Sequence, residues 1–300
     1  MTARVILVLL TAVTLAAPLL SAAQPSTKVR RIGFLEDAPV SVRLQPFKEK
    51  LRELGYVEGQ HVTVEYRATQ GKSERLPTLA AELVRLNPDV IVTHGVPAAQ
   101  ALKRATTTIP IVVAAAADLV GTGLVASLAR PGGNITGSTS LTTELSGKRV
   151  ELLTELIPGL SRVAVLWNAA NPGARRTWEE TQIAARKIGL HVQSLEVRSA
   201  EDLERAFEAA VKARAPALVV VQDTLTMGQR ATIVQLATRS RLPAIYGSSL
   251  LVEAGGLISY ATNLNELYRR AAVFVDKILK GARPADLPIE QPTTFELVIN

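Results

Sequence analysis

Two aspartates, Asp118 and Asp223, stand at the ends of apolar runs in opposite halves of the 300-residue chain. Either carboxylate suits an ammonium group. His94-Gly95-Val96-Pro97 leads into a helical stretch, whose free N–H groups and positive dipole end suit a carboxylate. Asn168 offers both donor and acceptor. Trp167, Tyr246 and Tyr260 fit a flat apolar wall. Asp37 and Thr93 occupy the corresponding loops at other run ends. Together these residue types speak for recognition of a small organic molecule. Each also has a plainer role. Asp118 and Asp223 fit caps of the helices that follow them, and Trp167 fits packing at a hinge. His94 fits a cleft wall or a satisfied loop residue, and Asn168 and Asn171 fit turn positions beside Pro172.

Catalytic patterns are weak by comparison. His61, His94 and His191 are far apart in the chain, a poor basis for a metal site. There is no cysteine nucleophile, no Gly-x-Ser-x-Gly elbow and no phosphate loop ending in Gly-Lys-Ser/Thr. Gly121-Thr-Gly123-Leu-Val-Ala126 has the letters of a dinucleotide fingerprint but follows a fourth strand, not a first. It reads as a turn and helix start. The sequence therefore predicts no enzyme, no cofactor and no metal.

The elements that position these residues come in two copies. Arg31–Ala38 aligns with Arg162–Ala169, Pro88–Val92 with Pro216–Val220, and Ile109–Val113 with Leu242–Tyr246. Leu54-Gly55 before His61-Val62 echoes Ile188-Gly189 before His191-Val192, and all four offsets lie between 128 and 134 residues. Within each copy, short apolar runs without polar alternation read as strands covered on both faces. In the first half these are Arg31–Leu35, Val62–Tyr66, Val90–Thr93, Ile111–Ala114 and Asn134–Gly137. In the second they are Val163–Trp167, His191–Leu195, Leu218–Val221, Ala244–Tyr246 and Gly256–Ser259. Helices are expected over Val42–Leu54, Glu74–Leu86 with Ser73 as N-cap, Pro97–Thr106 and Gly123–Arg130. In the second half they are expected over Arg175–Ile188, Glu201–Arg214 and Met227–Ser240, with a capping box from Ser199 and Asp202.

Alternating strands and helices at this spacing imply an α/β fold of two doubly wound parallel-sheet lobes. Residues 28–138 with about 262–283 form the expected first lobe, and 139–261 with about 284–300 the second. Three stretches break the repeat: Ser138–Gly147, Tyr260–Glu266 leading into an amphipathic helix Leu267–Lys280, and Pro284–Thr294 before a strand Phe295–Ile299. By topological analogy they make a multi-strand hinge. A ligand in such a fold lies beyond the carboxyl ends of the strands. The candidate loops are Glu36–Val40, Thr93–Pro97 and Ala115–Gly121 in one lobe. Trp167–Pro172, Gln222–Thr226 and Tyr246–Ser249 answer them in the other.

The N-terminus reads as a cleavable signal peptide over residues 1–23. Arg4 precedes the apolar run Val5–Leu15, Pro18 breaks it, and Ser21-Ala22-Ala23 precedes Gln24. Periplasmic export follows. Without Arg4 the chain holds 33 Lys and Arg against 27 Asp and Glu, net +6. The basic residues occur as scattered pairs and aromatics are 4% of the chain, which argues against a nucleic-acid groove. No later stretch reads as a membrane span.

Several runs carry a resemblance to a known family. Leu51-Arg-Glu-Leu-Gly-Tyr-Val-Glu-Gly-Gln60, Arg75–Val84 and Gly123-Leu-Val-Ala-Ser-Leu-Ala-Arg-Pro-Gly-Gly-Asn-Ile-Thr-Gly137 come first. Arg241–Tyr246, Val252–Leu257, Ile278–Ala282 and Phe295–Asn300 follow in order. From about Arg30 to Asn300 the chain resembles ABC transporter substrate-binding proteins of the tryptophan/tyrosine transport type. The resemblance implies a type I periplasmic binding fold, no catalysis, a permease partner with its ATPase, and an amino acid or aromatic ligand. That family often has Gly-Thr-Pro at Gly95-Val96-Pro97, and Asp-Pro at Asp118-Leu119 and Asp223-Thr224. A monomer is expected. A ligand sensor that reports to a membrane receptor is the competing reading, and neighbouring genes would separate the two.

Overall fold

The computed structural model describes residues 29–37 and 44–300. The expected signal peptide, its cleavage point near Ala23-Gln24, and residues 38–43 lie outside that range.

The first parallel sheet is built from β1 (Arg30–Glu36), β2 (Val62–Ala68), β3 (Val90–Thr93), β4 (Ile111–Ala116) and β5 (Ile135–Thr139), in the order β2-β1-β3-β4-β5. Helices α1 (Leu44–Glu53), α2 (Leu76–Arg85) and α3 (Val96–Ala105) connect its strands. The second sheet takes β6 (Arg162–Asn168), β7 (His191–Val197), β8 (Leu218–Val220), β9 (Ala244–Tyr246), β10 (Ile258–Thr262) and β11 (Phe295–Ile299). Its order, β7-β6-β8-β9-β10-β11, repeats the first and adds β11 antiparallel to β10. The internal repeat thus appears as one topology built twice. Helices α4 (Ser146–Leu156), α5 (Pro172–Lys187), α6 (Leu203–Lys212), α7 (Thr224–Gly228), α8 (Arg230–Arg239) and α9 (Ser249–Glu253) cover the second sheet.

Strand residues point alternately to the two faces, and each face is apolar. In the first lobe, Leu35, Ile91 and Val113 pack under α2 and α3. Ile32, Phe34, Val90 and Val92 pack under α1 and under α10 (Leu264–Leu279). In the second lobe, Ala164, Leu166, Val220 and Tyr246 share a core with α6, α8 and α9. Val163, Val165, Trp167 and Val219 share another with α4 and α5. Burial of side chains of this size contributes about 1.5–3 kcal/mol each.

The chain passes between the lobes three times: after β5, after β10, and before β11. These passages are bonded to one another. Thr262 Oγ1 donates to Ser140 O at 2.8 Å, and Glu290 exchanges backbone bonds with Gly137 and Thr139. Residues 284–290 thus stay along β5, with Ile289 in the first lobe's core, before β11 joins the second sheet. Gly137 makes the first passage possible. A Cβ there would lie 2.0 Å from Val113 O, and its φ of +133° excludes most side chains.

One expected helix is missing. Residues 123–130 form turns and bends, with Leu124 and Val125 buried from an irregular backbone. Lys103 Nζ takes the carbonyls of Gly123 and Leu124, at 2.6 and 3.2 Å, and Gly123 has φ +71°. Without a helix there, the Gly121–Ala126 pattern has no dinucleotide-binding geometry. Ser73 is not a side-chain cap. The Ser199–Asp202 capping box is formed. Helix α4 begins at Ser146, within the stretch that reads as a linker, and runs beyond it to Leu156.

Candidate ligand-binding cleft

The carboxyl ends of both sheets face one cleft, and two buried carboxylates enter it from opposite sides. Asp37, just after β1, is 2% exposed. Its Oδ1 accepts from Thr69 Oγ1 at 2.7 Å and Ser73 Oγ at 2.9 Å. Its Oδ2 accepts from Thr224 Oγ1 of the second lobe at 3.0 Å. Asp223 caps α7: its Oδ1 accepts from Thr226 N at 2.9 Å, while Thr226 Oγ1 accepts from Asp223 N. Its Oδ2 accepts from Asn168 Nδ2 at 2.6 Å and Asn171 Nδ2 at 3.2 Å. Burial pushes the Asp223 carboxyl above its ordinary pKa. Hydrogen bonds from Thr226, Asn168 and Asn171 pull it back, and the charge of Asp37 pushes it up again. No described Lys or Arg pairs with either carboxylate. Two acids thus face one another with neutral donors around them.

Two further contacts join the lobes. Arg176 Nε on α5 donates to Asp118 Oδ2 at 2.9 Å. Gly173, in the first turn of α5, lies so close to α3 that a Cβ there would stand 2.9 Å from Val96 Cγ2. The lobes are therefore shut. The cavity left between them, about 40 Å³, is lined by Gly95, Ala116, Ser140, Thr142, Asp223 and Thr224 among others. Among the described residues that space is the size of a water, not of an amino acid. Larger grooves of about 270 and 340 Å³ lie at the β9–β10 end of the second sheet and between α4 and α5. Neither draws residues from both lobes, so the smaller cavity is the one relevant to closure.

The ten residues singled out from sequence divide. Asp37, His94, Gly95, Asn168 and Asp223 meet at the cleft. Gly95 adopts φ +78° and gives its N–H to Ala115 O at 2.8 Å, while Pro97 has none. The start of α3 therefore offers a carboxylate fewer amides than its position suggests. His94 lies with its ring 5.9 Å from that of Tyr268. Thr93 is buried and gives its hydroxyl to Leu35 O at 2.9 Å, a bond within the sheet. Asp118 caps no helix. It holds a turn through Gly121 N at 2.7 Å, at φ +41°, and pairs with Arg176 across the cleft.

The three aromatic rings do not wall the cavity. Trp167 stacks on Trp178 with centroids 5.7 Å apart, under Arg175, and donates Nε1–H to Ser194 Oγ at 2.8 Å. Tyr246 is buried in the core beneath α8 and α9, and burial pushes its hydroxyl pKa up to about 12. Tyr260 packs at the hinge, with its ring 6.2 Å from Phe295. Residues that sequence reasoning passed over stand there instead: Thr224, Ser140 and Thr142 line the cavity, while Thr69 and Ser73 hold Asp37 and Arg149 holds Thr142 from behind.

A profile of ABC transporter substrate binding proteins matches residues 28–300. The chain belongs to that family. A tyrosine-binding protein of Clostridioides difficile is 24% identical over 278 residues, 92% of this chain and 80% of that relative. A Streptococcus pneumonia ABC domain solved in complex with L-Trp is 28% identical and superposes with a TM-score of 0.82, over 90% of this chain and 92% of the other. A conserved domain protein from Vibrio cholerae is 27% identical with a TM-score of 0.85, over 91% and 92%. This substrate-binding protein has the two-lobed type I periplasmic binding fold. The family's role is binding, not catalysis. Among the described residues no helix is long and apolar enough to cross a membrane.

Proposed function

We propose that this substrate-binding protein captures a zwitterionic amino acid with an aromatic side chain, of the tyrosine or tryptophan kind. It does so outside the cytoplasm, as a monomer, and delivers the ligand to an ABC permease and its ATPase. The observation that carries the reading is the pair Asp37 and Asp223. Two buried acids on opposite lobes, surrounded by neutral donors, leave room in the charge balance for one cation. A ligand ammonium supplies it and gains charge-assisted hydrogen bonds from both sides. The aromatic part of the proposal rests on the relatives, because Trp167, Tyr246 and Tyr260 turn away from the cavity.

The closed cavity is smaller than such a ligand, so binding proceeds by opening and closing about the three passages. The two sheets remain rigid while the lobes rotate. A ligand that touches both lobes favours the shut form. Micromolar affinity corresponds to about −8 kcal/mol, within reach of a few charged hydrogen bonds and apolar burial after ordering costs.

Isothermal titration of the mature protein with L-tyrosine, L-tryptophan and their N-acetyl derivatives tests the reading. The free amino acids should bind, and the N-acetyl forms, which lack the cation, should lose at least about tenfold. Equal binding of the acetylated forms, or no binding of any amino acid, would sink it.

A further inference from the structure

The cleft has acids for an ammonium but, among its described lining residues, no Lys or Arg for the opposite end of a zwitterion. A positive charge lies just behind it. Arg149, on α4, is among the most buried large side chains of the protein. Its Nε donates to Tyr260 O at 2.8 Å, one terminal nitrogen to Thr142 O at 2.9 Å, and the other to Thr142 Oγ1 at 3.2 Å. No described carboxylate pairs with it. Burial lowers its pKa to about 10, so it stays charged at neutral pH. A buried guanidinium without an acid is costly, and its unused N–H groups and field favour an anion nearby.

The Thr142 hydroxyl links that charge to the cleft. A guanidinium has donors only, so Thr142 Oγ1 must accept from Arg149. Its own proton is then left to give, and goes to no described acceptor. Thr142 lines the cavity beside Ser140. We infer that Thr142, polarised by Arg149 behind it, donates to the carboxylate of the bound amino acid. Arg149 is then a positioning residue that fixes the ligand's orientation without touching it: ammonium toward Asp37 and Asp223, carboxylate toward the first passage. This assignment rests on the amino-acid reading above.

Arg149 also ties two interlobe passages together through Thr142 and Tyr260, so its removal risks a loosened hinge. The decisive variant is therefore Thr142→Val, which keeps shape and loses the hydroxyl. Titrations compare L-tyrosine with L-tyrosinamide, which retains the ammonium but replaces the carboxylate by a neutral amide. Wild type should prefer the acid by about tenfold or more, and Thr142→Val should reduce that ratio to within about threefold by weakening the acid alone. Arg149→Lys, which keeps the charge but not the fork, should retain a ratio above that of Thr142→Val. An unchanged ratio in Thr142→Val, or a wild type that binds acid and amide equally, overturns the assignment and leaves the amino-acid reading standing. A wild type that binds neither overturns both.

Discussion

Gly173 sits where the second lobe presses on the first, and replacing it by alanine separates closure from ligand contact. The added Cβ would stand 2.9 Å from Val96 Cγ2, 3.3 Å from Asn171 Oδ1 and 3.4 Å from Ala117 Cβ. Carbon pairs prefer about 3.5–4.0 Å, so the contact with Val96 is short by roughly 0.6–1 Å. Val96 has little freedom to yield, because it is β-branched and only 2% exposed. Overpacking of this kind costs about 1–3 kcal/mol, which on the closed form alone corresponds to a roughly 5- to 150-fold rise in Kd. In the open form the methyl meets nothing on the opposite lobe. Alanine is also the better residue within a helix, by up to about 1 kcal/mol. The expected signature of Gly173→Ala is therefore weaker binding by titration, with a ligand-free Tm that is unchanged or raised. An unchanged Kd would mean that closure does not bring α5 onto α3. A Tm that falls in step with affinity would mean that the substitution damages the second lobe itself.

Two further outcomes follow from the contacts across the cleft. Arg176→Gln removes the ion pair with Asp118 while Asp118 keeps its turn through Gly121. The pair is partly exposed and Arg176 retains Glu179 when the lobes part, so the expected loss is at most about 1 kcal/mol, a two- to fivefold faster ligand release that vanishes in high salt. A change above tenfold in stopped-flow release would instead place Arg176 against the ligand. Affinity should also depend on pH through Asp223, whose carboxyl pKa burial raises in the ligand-free protein. A raised carboxyl favours the folded, ligand-free state when protonated. That contribution is complete below the unfolded value of about 3.8 and disappears as pH rises through the folded value. A ligand cation prefers the ionised form, so Kd should fall as pH rises through the same window and then level off. A flat Kd in titrations from about pH 4 to pH 8 argues against Asp223 as the ammonium partner.

Much of the fold was legible because the central strands are buried on both faces and so are written as short apolar runs, while the edge strands β2, β7 and β11 carry exposed or half-buried polar residues. Ala244–Tyr246 and Phe295–Ile299 carry the same bounds in sequence and structure. The stretch 123–130 failed for a physical reason: Leu124, Val125 and Leu128 bury as a helix face would, but the carbonyls of Gly123 and Leu124 go to Lys103. Loop positions at the cleft were legible from topology, while side-chain direction was not. Trp167 lies one residue before Asn168, and that single step sends the ring into the core under α5 and the amide toward Asp223. The alternation of Val163, Val165 and Trp167 against Ala164 and Leu166 held that signal. The hydroxyls around Asp37 left none, because Thr69 and Ser73 come from the turn after β2 and Thr224 from the other lobe, both far from Asp37 in sequence.

The polar groups of this cleft are mostly satisfied by one another while the lobes are shut, and that bears on how it releases cargo. Asp37 is held by Thr224 from across the cleft, and Asp118 by Arg176. On the proposed reading, a ligand cation inserted between Asp37 and Asp223 competes for the Asp37 oxygen that Thr224 now occupies. Binding therefore exchanges a neutral interlobe hydrogen bond for a charged bridge through the ligand, and the net gain is smaller than the new contacts alone suggest. Such an exchange keeps affinity moderate and the empty closed form accessible. On the proposed reading, surrender of the ligand to a permease needs both, since carboxylates left without hydrogen bonds when empty would hold a cation too tightly to pass it on.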